Sequence, residues 1–122
     1  MRKTVLPRIP HRGVFGRHTL THRAMKKKIY ISLPISGREK EAREHADMMK
    51  AALSRAGHKP VSPFEVYAGK TPTYAEHIGY DIIALINCEA IMLCKGWQFS
   101  KGCRIEAKVA EEFGKEIFYE EQ

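Results

Sequence analysis

The stretch Glu89-Ala90-Ile91-Met92-Leu93-Cys94 is apolar at five consecutive positions and contains neither glycine nor proline. Successive side chains of a strand point to opposite faces, so such a run fits a strand covered on both sides. Its counterpart upstream is Lys28-Ile29-Tyr30-Ile31-Ser32-Leu33, a β-branched and aromatic run broken by Pro34-Ile35-Ser36-Gly37. Between the two runs the period changes. Ala42, Ala46, Met49, Leu53 and Ala56 recur at steps of three and four, which predicts a helix over Arg38–Ala56 with Gly57 as its stop. Lys59–Ser62 reads as a second strand and residues 63–73 as a loop. Tyr74, Ile78, Ile82 and Leu85 mark a second helix over Tyr74–Ile86. Downstream come the loop KGWQFSKG, a helix over Lys101–Phe113, Gly114 as its stop, and a strand at Glu116–Tyr119.

Strands alternating with helices predict an α/β three-layer sandwich around a central parallel sheet of four or five strands, Rossmann-like or flavodoxin-like. Ligands of such sheets bind beyond the carboxyl ends of the strands, near the switch in strand order. The loops LPISGRE and KGWQFSKG fall there.

The chain has 122 residues, enough for a single core, with 43% hydrophobic and 29% charged residues. That balance excludes a fibrous or wholly disordered chain. No run is long and apolar enough to span a bilayer, so no membrane association is expected. The net charge of +7 is unevenly placed: residues 1–28 hold nine Lys or Arg and no acid. The remaining 94 residues hold 12 bases against all 14 acids, a net charge of −2. Residues 1–27 are therefore expected to be a basic, disordered leader and residues 28–122 the domain. Three readings of the leader stay open: an upstream extension ahead of Met25, a nonspecific nucleic-acid tether through residues 1–28, or a targeting peptide. Three cysteines without a C-x-x-C pair point to a reducing, cytoplasmic setting.

Several side chains carry chemical promise. Glu106 shares the stripe of Val109, Ala110 and Phe113, so a carboxylate fills an apolar slot near the start of the last helix. Burial there raises a carboxyl's pKa, and the helix dipole favours its charge; the alternative is a partly solvated, dipole-complementing glutamate. Asp81 repeats the anomaly at the border of the stripe of Ile78, Ile82 and Leu85. Tyr30, near the end of the first strand, is either a core aromatic or part of a site. Ser36 with Glu39, and Ser100 with Gly102, each open a helix as plain caps or as caps that also grip an anion. The glycine pattern matches neither a dinucleotide fold's fingerprint nor a phosphate-binding loop, which disfavours NAD and ATP. Trp97 is placed to stack on a base or to cover a subunit contact with Phe99 and Tyr119. The spacings of His45, His58, His77 and the cysteines fit no metal pattern, so no metal or other cofactor is expected.

Tyr30-Ile-Ser-Leu-Pro-Ile-Ser-Gly37, then Asp81, then Ser100-Lys-Gly102-Cys-Arg-Ile-Glu106 and Gly114-Lys-Glu-Ile resemble the nucleoside 2-deoxyribosyltransferase superfamily. The spacing is most similar to that of its 2′-deoxynucleoside 5′-phosphate N-hydrolases, over residues 28–119. The resemblance implies cleavage or transfer at the N-glycosidic bond of a (deoxy)nucleoside or its 5′-monophosphate. It implies Glu106 as nucleophile, Asp81 at the base or sugar, and Tyr30 holding the catalytic acid and sugar. Substrate contacts are implied at Ser32, Pro34, Ile35, Ser36, Gly37, Arg38, Trp97, Ser100 and Gly102, with Ser100 on phosphate. A homodimer or higher homo-oligomer is implied as well. The alternative is a catalytically silent nucleotide-binding module of the same fold.

Overall fold

A computed structural model describes residues 26–67 and 69–121. The expectations for residues 1–25 of the basic leader fall outside that range, whereas Lys27, its last residue, donates its N–H to His58 Nδ1 at 3.2 Å and accepts from Lys59 N–H at 2.8 Å. The chain runs β1 (Lys28–Ser32), α1 (Glu39–Arg55), β2 (Lys59–Val61), α2 (Pro63–Val66), α3 (Tyr74–Ile86), β3 (Ala90–Leu93), a 3-10 turn (Trp97–Phe99), α4 (Lys101–Glu112) and β4 (Glu116–Tyr119). All strand pairings are parallel, in the order β2-β1-β3-β4. Every residue of β3 is buried, as its unbroken apolar run requires.

The two faces of the sheet carry separate cores. On one, Ile29, Ile31, Leu33 and Met92 pack against Ala42, Ala46, Met49 and Leu53 of α1. On the other, Tyr30, Ile91, Leu93 and Ile117 pack with Leu85 of α3 and Ala110 of α4. The molecule is an α/β three-layer sandwich. The strand order reverses between β1 and β3, whose carboxyl ends are Ser32 and Leu93 in register, so a crevice is expected above that pair.

Four local expectations are corrected. Residues 63–66 are a helical turn, not loop: Ser62 accepts from the backbone of Phe64, Glu65 reaches back to Ser62 N–H, and Pro63 sits at the first helical position. Ser36 does not cap α1. A turn closed by Arg38 N–H donating to the Ile35 carbonyl precedes that helix, with Gly37 at φ 78, so α1 opens from Arg38 without a side-chain cap. On α3 the stripe does not begin at exposed Tyr74, and its buried members are Asp81 and Leu85. Asp81 is central to the stripe, not at its border. On α4 the buried positions are Cys103, Glu106 and Ala110. Phe113 lies past the helix end and is exposed. No helix among the described residues is long and apolar enough to cross a membrane.

Candidate active site

Above the ends of β1 and β3 lies a cavity of about 370 Å³, within the range of small-molecule sites. Its floor is polar. Glu106 projects from α4 beneath β1, only 7% exposed. The Ser32 hydroxyl donates to its Oε1 at 2.6 Å, and the Tyr30 hydroxyl donates to its Oε2 at 3.2 Å. Tyr30 and Ser32 are two apart on one strand, so both point to the same face, toward α4. Asp81 enters from α3 and lines the same cavity; its buried Oδ1 has no hydrogen-bond partner among the described residues.

Burial governs the electrostatics. It pushes the Glu106 carboxyl up to about 8; the Ser32 hydrogen bond opposes that rise and the nearby Asp81 charge adds to it. Burial also raises Asp81 to about 6, against contacts with Glu106 and Tyr30 that favour its charge. The Tyr30 phenol is driven well above its usual range by burial, then by Glu106 and Asp81. It is a hydrogen-bond donor throughout the physiological range. Two carboxyls this close titrate as a pair and hold one proton between them around neutral pH. Glu106 sits in the second turn of α4, past the end where a helix dipole acts strongly. Two hydroxyl donors, and not the dipole, are what offset the charge on its carboxylate.

Of the remaining residues singled out in the sequence, Ile35, Ser36, Ser100 and Gly102 line this cavity. Ser100 also caps α4 by accepting from Cys103 N–H. Pro34 lines an adjoining hollow shared with Tyr74 and Phe99. Gly37, Arg38 and Trp97 border neither space. The Arg38 guanidinium donates to the Pro34 carbonyl at 2.7 Å, bracing the loop from behind. Trp97 is half-buried, with its ring 6.0 Å from that of Tyr119. Neither belongs to the exposed apolar patch expected from the sequence; Phe99 does, at 89% exposure.

The opposite wall is one that sequence reasoning missed. Arg43, Phe64, Tyr67 and His77 line it. The Arg43 guanidinium lies 4.4 Å over the Phe64 ring, and Tyr67 meets His77 edge to face at 4.2 Å. Burial and then the charges of Asp81 and Glu106 hold the Tyr67 phenol at about 12, so it too stays protonated. The S-P-x-E capping box at residues 62–65 was the available signal for placing this aromatic wall on an ordered turn.

Among solved structures, a 2-desoxiribosyltransferase from Leishmania mexicana superposes with a TM-score of 0.62 at 18% identity. The match covers 76% of this chain and 63% of that one. At this identity the likeness is one of fold: the sandwich is built as in that deoxyribosyltransferase. No curated protein matches in sequence. A family model covers residues 27–119, from the residue before β1 to the last residue of β4. The chain therefore belongs to the family described as "Domain of unknown function (DUF4406)".

Proposed function

We propose that the protein cleaves or transfers at the N-glycosidic bond of a (deoxy)nucleoside or its 5′-monophosphate. One observation carries this reading: a buried glutamate, held by two hydroxyl donors, lies beside a second carboxyl in the wall of a cavity that suits a nucleoside. The name of the structural neighbour agrees with it. In the proposed reaction Glu106 attacks C1′ and forms a glycosyl ester, while the electron pair of the C1′–N bond leaves with the base. Asp81 donates the proton that the departing base needs. Water, or a second base, then attacks C1′ and releases Glu106; the proton of the incoming nucleophile restores Asp81. Ser32 and Tyr30 hold the carboxylate in line. The aromatic wall of Phe64 and Tyr67 suits the base, and the α4 end with Ser100 and Gly102 suits the 5′ oxygen or phosphate. Glu39 and Glu41 in the first turn of α1 make that helix end less fit for an anion.

Glu106, at about 8, holds the shared proton in preference to Asp81, at about 6, so the productive state, with Glu106 ionised and Asp81 protonated, is the minor form of the singly protonated pair. Release of free base, followed by chromatography with deoxynucleosides and their 5′-phosphates, is therefore expected to peak near pH 7. It falls below about 6, where both carboxyls are protonated and no nucleophile remains, and above about 8, where the acid is lost. A rate unchanged between these limits would remove the pair from the chemistry. Saturable nucleotide binding with no base released would favour the silent module.

We further propose a homodimer that buries Phe99 at the hollow adjoining the cavity. Replacing Phe99 with Ser should convert a dimer to a monomer in sedimentation velocity; a wild-type monomer at assay concentration refutes it.

A further inference from the structure

On the α1 face of the sheet, behind β1 and β3 from the cavity, three chemically different side chains converge. His45 comes from α1, Cys94 follows β3 and Glu120 follows β4. Among the described residues this is the group of His, Cys, Asp and Glu whose ligand atoms all lie within 4.8 Å of one another. His45 Nε2 is 2.8 Å from Glu120 Oε1, which also accepts from the backbone N–H of Lys95 at 2.9 Å. Cys94 and Glu120 are buried almost completely, and His45 keeps a small exposed edge.

We propose that His45, Cys94 and Glu120 form a site for a divalent cation of borderline softness, with zinc the best fit. The donor set is one nitrogen, one sulfur and one carboxylate oxygen, each an ordinary zinc ligand. Metal–ligand bonds of about 2.0–2.3 Å put tetrahedral ligand atoms roughly 3.3–3.8 Å apart, within the 4.8 Å that encloses the ligand atoms of this cluster. The thiolate and carboxylate together balance a double positive charge in a place where an unpaired ion would be costly. Lys95 N–H already orients the carboxylate, the support that ligating groups usually have. Three ligands leave a fourth position for water, reached along the exposed edge of His45. Binding releases the thiol proton to solvent and takes the neutral imidazole with its Nε2 lone pair on the ion. Because Cys94 and Lys95 start the loop that leads to Ser100, an ion here would also tie that loop to α1 and β4.

A plain His45–Glu120 ion pair beside an inert thiol is the competing account, and cobalt separates the two. The full-length protein, stripped by chelator and titrated with Co²⁺ alone, is expected to show a near-ultraviolet thiolate-to-cobalt band that saturates at one equivalent. Zn²⁺ should displace that band and raise Tm by roughly 5 °C or more. Cys94→Ala should abolish the band, and His45→Gln should weaken Co²⁺ binding on the order of 100-fold. His11, His18 and His22 of the leader offer nitrogen ligands only, so the thiolate band and not zinc uptake decides. A wild-type protein with no band overturns the proposal, as does a band that survives in Cys94→Ala. Because the decisive reading is taken on the wild type, a poorly folded variant does not leave the question open.

Discussion

Glu106→Gln is expected to lower base release from the preferred deoxynucleoside or nucleotide by ~10⁴-fold or more, while nucleotide affinity changes little. Glutamine keeps the volume of the side chain, and its carbonyl oxygen can still accept from Ser32 or Tyr30. What it loses is the anionic oxygen that forms the bond to C1′. An amide is a poor nucleophile at carbon, and among the described residues Glu106 is the carboxylate that Ser32 and Tyr30 both hold. Asp81 would still protonate a leaving base, so residual turnover would report unaided departure through an oxocarbenium-like state. Single-turnover base release together with nucleotide binding by thermal shift measures the two effects separately. Release at the wild-type rate would remove Glu106 from the reaction and leave binding as the cavity's role.

The same substitution should change how stability depends on pH. The folded-state pKa of Glu106, about 8, lies above the ordinary value of 4.5. The folded protein therefore holds a proton that the unfolded chain has given up. The sign follows from linkage: this contribution to stability is present in full below about 4.5 and is lost as pH rises through about 8. Asp81, raised to about 6 from 3.8, acts in the same direction over a lower window. A tenfold change in a proton-binding constant is worth about 1.4 kcal/mol, so ionising Glu106 in place costs on the order of a few kcal/mol at pH 9. Glutamine carries no charge at any pH and avoids that cost. Wild type and Glu106→Gln should melt at similar temperatures at pH 5. At pH 9 the variant should melt higher, by on the order of 10 °C for a domain of this size. Parallel Tm-versus-pH curves would show that the carboxyl ionises without penalty, and hence that it is solvated in solution.

Glu106 was legible because a carboxylate in an apolar slot contradicts its own helix. Asp81 was legible for the same reason, although its central place in the stripe shows only when Tyr74 is seen to lie outside. Ser36 misled: a serine before a helix resembles a cap, yet Gly37 turns the chain first and leaves that hydroxyl at the cavity. Trp97 also misled, since a tryptophan between glycine and glutamine looks exposed until Tyr119 is folded against it. Phe64 and Tyr67 went unnoticed because a proline after a short strand reads as that strand's end, and Pro63 is also a helix's first residue.

The sequence by itself determined the elements and their class, because hydrophobic period, caps and breakers act over a few residues and are written in local order. An unbroken apolar β3 and the striped helices around it leave a covered parallel sheet as the arrangement that buries them. Tertiary structure alone decided which polar groups meet. Ser32 and Tyr30 reach Glu106 across 74 and 76 residues, and His45 reaches Glu120 across 75. Those meetings depend on strand order and register, which are set by the packing of whole faces and leave no trace in spacing along the chain.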